Sequence, residues 1–116
     1  MKDDLAGKDW QDRTVLLLGR EAVDRLAGAS VAVFGLGGVG SFAAEALARA
    51  GIGRLVLVDG DVVDITNLNR QLVALRSTLG QPKAEVMAQR VRDINPACRV
   101  EAHNLFYLPP SDGQPS

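Results

Sequence analysis

Residues 30–41 read Ser-Val-Ala-Val-Phe-Gly-Leu-Gly-Gly-Val-Gly-Ser, and this stretch decides the fold. Ser30 to Phe34 is an apolar, β-branched run bounded by glycines. Its length and composition predict a buried parallel strand. Gly35-Leu36-Gly37-Gly38-Val39-Gly40 predicts a tight turn, and Ser41 to Ala50 a helix ended by Gly51. In that helix Phe42, Ala43, Ala46, Leu47 and Ala50 recur at helical spacing, and its alanines allow close approach to a sheet. Three glycines by themselves make only a turn. Between a strand and a helix, Gly-x-Gly-x-x-Gly is the context of a dinucleotide-binding loop. Glycines let the backbone come close to a phosphate, and the helix start offers N–H groups and partial positive charge to it.

Moving outward, Arg54-Leu55-Val56-Leu57-Val58 predicts a second buried strand, closed by Asp59. Asp59 lies 19 residues after Gly40, where a carboxylate accepts hydrogen bonds from ribose hydroxyls. These residues point to a nucleotide and leave open which one. An NAD-dependent oxidoreductase fits them equally well. Residues 60–81 have no single period, and Leu68, Leu72, Leu75 and Leu79 suggest short helical turns. Pro82 in a first turn opens a helix to about Asn95, with Ala84, Met87, Ala88, Val91 and Ile94 on one face. Pro96 ends it, and Cys98 to His103 predicts a third strand.

The organisation expected is an N-terminal arm and short helix over 1–28, a Rossmann-like domain over 29–107 and a disordered tail over 108–116. Within the first segment, residues 1–13 read as an arm or a frayed helix and Glu21 to Leu26 as a short helix ending near Gly28. The 116 residues allow one domain. Lys and Arg number 13 against 14 Asp and Glu, a net charge of −1 that leaves no broad basic footprint for nucleic acid. No apolar run reaches the ~18 residues that a membrane helix needs. The start Met1-Lys2-Asp3-Asp4 is not a secretory signal. Cys98, the single cysteine, allows neither an internal disulfide nor a Cys-based zinc site, so a cytoplasmic location is expected.

A second constellation separates the nucleotide classes. Lys83 falls in the first turn of its helix, where a cation is disfavoured unless an anion sits before it. Arg70 offers a planar fork matched to phosphate oxygens, and Asn69 beside it can donate and accept. Each of these cations alone reads as a surface charge. Together, downstream of a βαβ unit, they read as a triphosphate clamp, which a nicotinamide pocket does not need.

The stretches GLGGVGS at 35–41, VDGDVVDITNLNRQ at 58–71 and QPKAE at 81–85 resemble the ThiF/MoeB/HesA superfamily of adenylating enzymes, relatives of the ubiquitin-activating enzymes. Arg13-Thr14, Leu18-Gly19, SFAAEALARAGIG at 41–53 and Ile94-Asn95-Pro96 are similar to its tRNA threonylcarbamoyladenosine dehydratase branch. The resemblance covers roughly 12–108 and implies the N-terminal βαβ half of a three-layer Rossmann-like α/β fold with a parallel sheet. It further implies that Gly35, Gly37, Gly38 and Gly40 cradle ATP, that Asp59 holds the ribose with Asp61 close by, and that Asn69, Arg70 and Lys83 grip the phosphates. Arg13 matches an arginine that reaches into the partner's site of a homodimer. The implied reaction is attack of a carboxylate on the α-phosphate of ATP. The carboxylate belongs to the threonylcarbamoyl group of a tRNA adenosine, which then closes into a ring with loss of water. Alternatively it is the C-terminus of a ubiquitin-like sulfur carrier.

The superfamily fold continues beyond the third strand, and its Mg2+-binding aspartate has no match here. The strand at 31–34 is therefore expected to have an unpaired edge, and the isolated chain to be marginally stable, self-associating or an inactive nucleotide-binding fragment. His103 is read as a hydrogen-bonded structural residue, Cys98 as a small buried hydrophobe, and Trp10 and Tyr107 as packing residues.

Overall fold

The computed structural model describes residues 9–106. Two short helices lead, α1 (Asp12–Leu18) and α2 (Arg20–Ala27). They are followed by β1 (Ser30–Phe34), α3 (Gly38–Ala50), β2 (Arg54–Val58), α4 (Lys83–Ile94) and β3 (Arg99–His103). Single 3-10 turns at Ile65–Asn67 and Arg76–Thr78 break the long connection between β2 and α4. The three strands are parallel in the order β1-β2-β3, with Val31 opposite Leu55 and Leu55 opposite Val100. Parallel neighbours need crossover helices, and α3 and α4 supply them.

Alternation along the strands sends Val31, Val33, Leu55, Leu57, Val100 and Ala102 to one face, where α3 and α4 pack. Leu55, Leu57, Met87 and Val91 are fully buried there. Each such side chain contributes about 1.5–3 kcal/mol of burial. Buried polar bonds tie the two helices together. Asn95, at the end of α4, donates from Nδ2 to the carbonyls of Ala48 (3.3 Å) and Ile52 (3.2 Å) at the end of α3. Glu45 on α3 accepts from Arg90 on α4 and from Arg49 at 3.3 Å. The other face of the sheet carries Ser30, Ala32, Phe34, Glu101 and His103, all exposed, with Arg54 paired to Glu101 across β2 and β3.

Several expectations change. β1 is covered on one face only: Val31 and Val33 reach the core, Phe34 is 56% exposed, and the strand stands at the edge of the sheet as expected. Among the described residues no strand pairs on its far side. The buried stripe of α3 is Ser41, Ala44 and Ala48, while Phe42 is 61% exposed. Of the predicted stripe, Leu47 packs against the core, whereas Ala43 and Ala46 are exposed. The helix is apolar on two sides, so periodicity could not choose its phase. Contact at its first turn does: a Cβ on Gly40 would lie 1.8 Å from the Gly35 carbonyl oxygen. The helix also begins three residues earlier than predicted, at Gly38. Pro82 is extended (φ −60°, ψ 131°) and stands before α4, so Lys83 is the first helical residue.

Helix α1 starts at the end of the stretch read as an arm or frayed helix and continues beyond it to Leu18, with Leu16 and Leu17 85% and 84% exposed. Trp10 is half exposed rather than packed. Asp3, Asp4, Tyr107 and the tail at 108–116 lie outside the described residues. No helix among the described residues is long and apolar enough to cross a membrane.

Candidate nucleotide site

The site forms at the carboxyl ends of the strands, where open parallel sheets bind ligands. The N–H of Gly35 donates to the Val58 carbonyl (2.8 Å) and prolongs the β1–β2 ladder by one step. The chain then turns through φ +88° at Gly35, a conformation that favours glycine. Asp59, just past β2, pins the turn. Its Oδ2 accepts the Leu36 N–H at 2.6 Å, and its Oδ1 accepts the Asp61 N–H at 2.7 Å. The carboxylate is buried, and each oxygen keeps a second lone pair. Asp59 thus builds the loop, whatever else it holds.

Four glycines were singled out, and the fold explains two of them. Gly35 has its left-handed φ, and Gly40 its contact with Gly35. Gly37 and Gly38 have neither. A Cβ on Gly38 meets nothing within 4 Å, and one on Gly37 meets only Nε2 of Gln71 at 3.8 Å. Gly37 precedes α3 and no side chain caps the helix there. Ser41, fully buried, donates from N (3.0 Å) and Oγ (2.6 Å) to the Gly37 carbonyl and fixes the first turn.

The connection after β2 carries the cations. The Val63 N–H donates to Gln81 (2.8 Å), that of Gly80 to Val63 (2.8 Å), and that of Lys83 to Asp61 (3.0 Å). These bonds fold the start of α4 back against the strand ends. Lys83 is therefore buried and not a surface charge, with its Nζ 3.9 Å from Oδ2 of Asp61. Asp64 caps the first 3-10 turn. It accepts from the Thr66 N–H (2.9 Å) and Oγ1 (2.5 Å), and its own N–H donates to Oδ1 of Asn67 (2.8 Å). The Thr66 hydroxyl first, then the Thr66 N–H, hold the Asp64 carboxyl below its ordinary range, and the charge of Lys83 adds to this. Arg70 and Asn69 are exposed side by side. The guanidinium donates to the Thr66 carbonyl (3.0 Å) and to Oδ1 of Asn69 (2.8 Å), so Asn69 orients Arg70.

The fold thus links Gly35 to Val58, Leu36 to Asp59, Asp59 to Asp61, and Asp61 to Lys83. It does not bring Arg13 to this group. Gln11, next to α1, places Nε2 where a side chain on Gly51 would lie, 2.1 Å from that Cβ position. Gly51 ends α3, and 13 residues of helix at about 1.5 Å each put it about 20 Å from the glycine loop. Two residues escaped the sequence reading. Ser41 was visible only as the residue after the last glycine. Gln71 stands four residues after Asn67, and its N–H donates to the Asn67 carbonyl at 3.0 Å.

A cavity of about 400 Å³ opens beside the loop, lined by Phe34, Gly35, Val58, Asp59, Leu105 and Phe106 among others. The residues not promoted behave mostly as read. Cys98 is buried, and burial pushes its thiol pKa up. His103 is half exposed, with Nε2 3.5 Å from Glu101. No group of three or more His, Cys, Asp or Glu among the described residues could hold a metal ion.

Known proteins share this arrangement. The chain is 60% identical over 95 residues to the tRNA threonylcarbamoyladenosine dehydratase of Bacillus subtilis, covering 82% of this chain and 37% of that protein. It is 42% identical over 86 residues to the sulfur carrier protein adenylyltransferase of Thermus thermophilus, covering 74% of this chain and 32% of the relative. The crystal structure of the Escherichia coli tRNA N6-threonylcarbamoyladenosine dehydratase, TcdA, in complex with ATP superposes with a TM-score of 0.80 at 53% identity, over 84% of this chain and 41% of that one. The chain thus spans about two-fifths or less of the length of these relatives. Residues 11–112 match the ThiF family across both the glycine loop and the cation-bearing connection, and the chain belongs to that family.

Proposed function

We propose that this chain supplies the ATP-binding part of an enzyme that adenylates a carboxylate, and that the carboxylate is the threonylcarbamoyl group of a modified tRNA adenosine. One observation carries the nucleotide reading: Gly37 and Gly38 keep the backbone bare where the fold itself would tolerate a side chain. A phosphate seated on the opening turn of α3 accounts for that, because it needs the backbone within hydrogen-bond reach. The buried Lys83 supports it, since a lysine at the positive end of a helix is stabilised by an anion before it. The 60% identity to a tRNA threonylcarbamoyladenosine dehydratase supports the choice of acceptor.

In this reading Gly35, Gly37, Gly38 and Gly40 shape the seat of the α-phosphate, and the remaining lone pairs of Asp59 receive ribose hydroxyls. Arg70, released from Asn69 and Thr66, and Lys83, released from Asp61, take the outer phosphates. The carboxylate oxygen attacks the α-phosphorus and pyrophosphate leaves. The ring-closing nucleophile then attacks the acyl carbon and AMP leaves, for a net loss of one water from the substrate. The protein contributes position and charge rather than covalent chemistry. Mg2+ would neutralise the phosphates. Asp59 and Asp61 do not form a metal site by themselves, because no third His, Cys, Asp or Glu among the described residues joins them and Asp61 faces Lys83. No step is assigned to the ion.

Gln11, two residues before Arg13, sits against Gly51, about 20 Å from the glycine loop by the length of α3. This favours a homodimer in which Arg13 acts on the partner's site. A cytoplasmic location suits a tRNA substrate. The second reading keeps the adenylation and changes the acceptor to a sulfur-carrier C-terminus, favoured by the similarity to the adenylyltransferase of Thermus thermophilus.

Calorimetric titration with ATP, AMP and NAD tests the nucleotide class, and binding of NAD without ATP would refute it. Pyrophosphate release with modified tRNA or with a sulfur carrier assigns the acceptor. Arg70→Ala and Lys83→Met are expected to weaken ATP about 10- to 100-fold, the loss of one charge-assisted contact, and AMP far less. Equal losses would contradict the phosphate role.

A further inference from the structure

Gln71 is a polar side chain kept out of water with its hydrogen bonding incomplete. It is 8% exposed, and its Oε1 has no partner among the described residues. An orphaned buried acceptor is costly, and a leucine of the same shape would avoid the cost. The side chain is not turned into the hydrophobic core. Its Nε2 is the nearest atom to the open position on Gly37, at 3.8 Å, beneath the turn that opens α3. Half a rotation of the carboxamide exchanges Oε1 and Nε2 in place. The same side chain can therefore offer two N–H donors or one oxygen to that turn.

We propose that Gln71 is a contact residue for the phosphate seated on Gly37 and Gly38. Its carboxamide N–H donates to a phosphate oxygen. The inference rests on the nucleotide reading above and adds to it a neutral donor that approaches from below the loop. Arg70 and Lys83 supply charge to the outer phosphates. Gln71, held at Gly37, serves the phosphate nearest the nucleoside, which ATP and AMP share. Its loss must therefore weaken both ligands alike, unlike the loss of either cation.

The test uses the intact native protein and its Gln71→Leu and Gln71→Glu variants, with ATP and AMP affinities from calorimetry and Tm from thermal unfolding. Gln71→Leu is expected to hold or raise Tm while weakening ATP and AMP equally, by about tenfold for one hydrogen bond. Gln71→Glu keeps the shape and sets an anion against a phosphate. It is expected to weaken both ligands more than leucine does, which packing alone would not produce. Unchanged affinities in both variants, with the parent protein binding ATP, would overturn the role of Gln71 and leave the nucleotide reading intact. A loss confined to ATP would also overturn it, placing Gln71 on the outer phosphates. Failure of the parent protein to bind either nucleotide would overturn the nucleotide reading itself.

Discussion

The two ends of α3 are finished in opposite ways. At the C-terminal end the protein satisfies its own carbonyls. The N–H groups of Gly51 and Ile52 return to Ala48 and Leu47, and the Asn95 amide bridges Ala48 and Ile52 from the next helix. The N-terminal end has no side-chain cap, two glycines that the fold does not require, and a loop pinned from outside by Asp59. Helix ends must find partners for their unpaired groups. One end finds them in the chain, and the other is shaped so that an anion can supply them. Stability is therefore concentrated at one end of this helix, and under the proposed function ligand binding belongs to the other.

Substitutions at the two ends should separate these properties. The largest effect is expected from Gly40→Ala, whose Cβ would sit 1.8 Å from the Gly35 oxygen. The loop and α3 cannot both stay in place, and a loss of about 4 kcal/mol or outright failure to fold should appear in thermal unfolding. A near-normal Tm would show that the contact relaxes cheaply. Next comes Asn95→Ala at the saturated end. The Ile52 carbonyl loses the Asn95 donor and the Ala48 carbonyl keeps only the Gly51 N–H, for about 1–3 kcal/mol of stability, with ATP affinity unchanged in the fraction that remains folded.

Gly38→Ala inverts that outcome. A Cβ there meets nothing, and alanine is the better helix former, so stability is expected to hold or rise by about 0.5 kcal/mol. ATP affinity should fall about tenfold as the methyl group obstructs the phosphate seat. Retained affinity would place the phosphate elsewhere. The smallest effect concerns the middle of the helix. The hydrogen bond from Arg90 is the main cause that holds the Glu45 carboxyl below its usual 4.5. A carboxylate lowered in the folded state adds stability above the unfolded value, and that contribution is lost as pH falls through the folded one. Glu45→Gln should therefore lower Tm slightly at neutral pH and reduce the fall in Tm below about pH 4.5. An unaltered acid profile would show the pair to be energetically silent.

The strands, both long helices and the glycine turn between β1 and α3 were legible because each is a local pattern. β1 and β2 are apolar runs of strand length, and α4 carries a single apolar face. The loop shows glycines at fixed intervals between a strand and a helix. What could not be read depended on distant partners. The phase of α3 was ambiguous because the helix is apolar on two sides. β1 looked buried because a strand covered on one face and a strand covered on both share a composition. Arg70 and Lys83 were indistinguishable as charges, yet Lys83 is buried by the fold-back at 61–83 while Arg70 stays exposed. Gln71 looked like any polar residue in a loop. Its meaning lies in the backbone of Gly37, 34 positions away in sequence.

The sequence alone determined the order of elements from β1 onward, the parallel sheet and the position of the glycine turn. These follow from hydrophobic period and from the backbone freedom of glycine, which are properties of neighbours along the chain. Only the tertiary structure decided that Asp59 builds the loop, which glycines the fold requires, that the stretch before α1 packs at the far end of α3 and that a buried amide lies beneath Gly37. Those facts depend on which groups meet across the packed interior, where hydrogen bonds are made between residues far apart in the chain and an unmet one is costly.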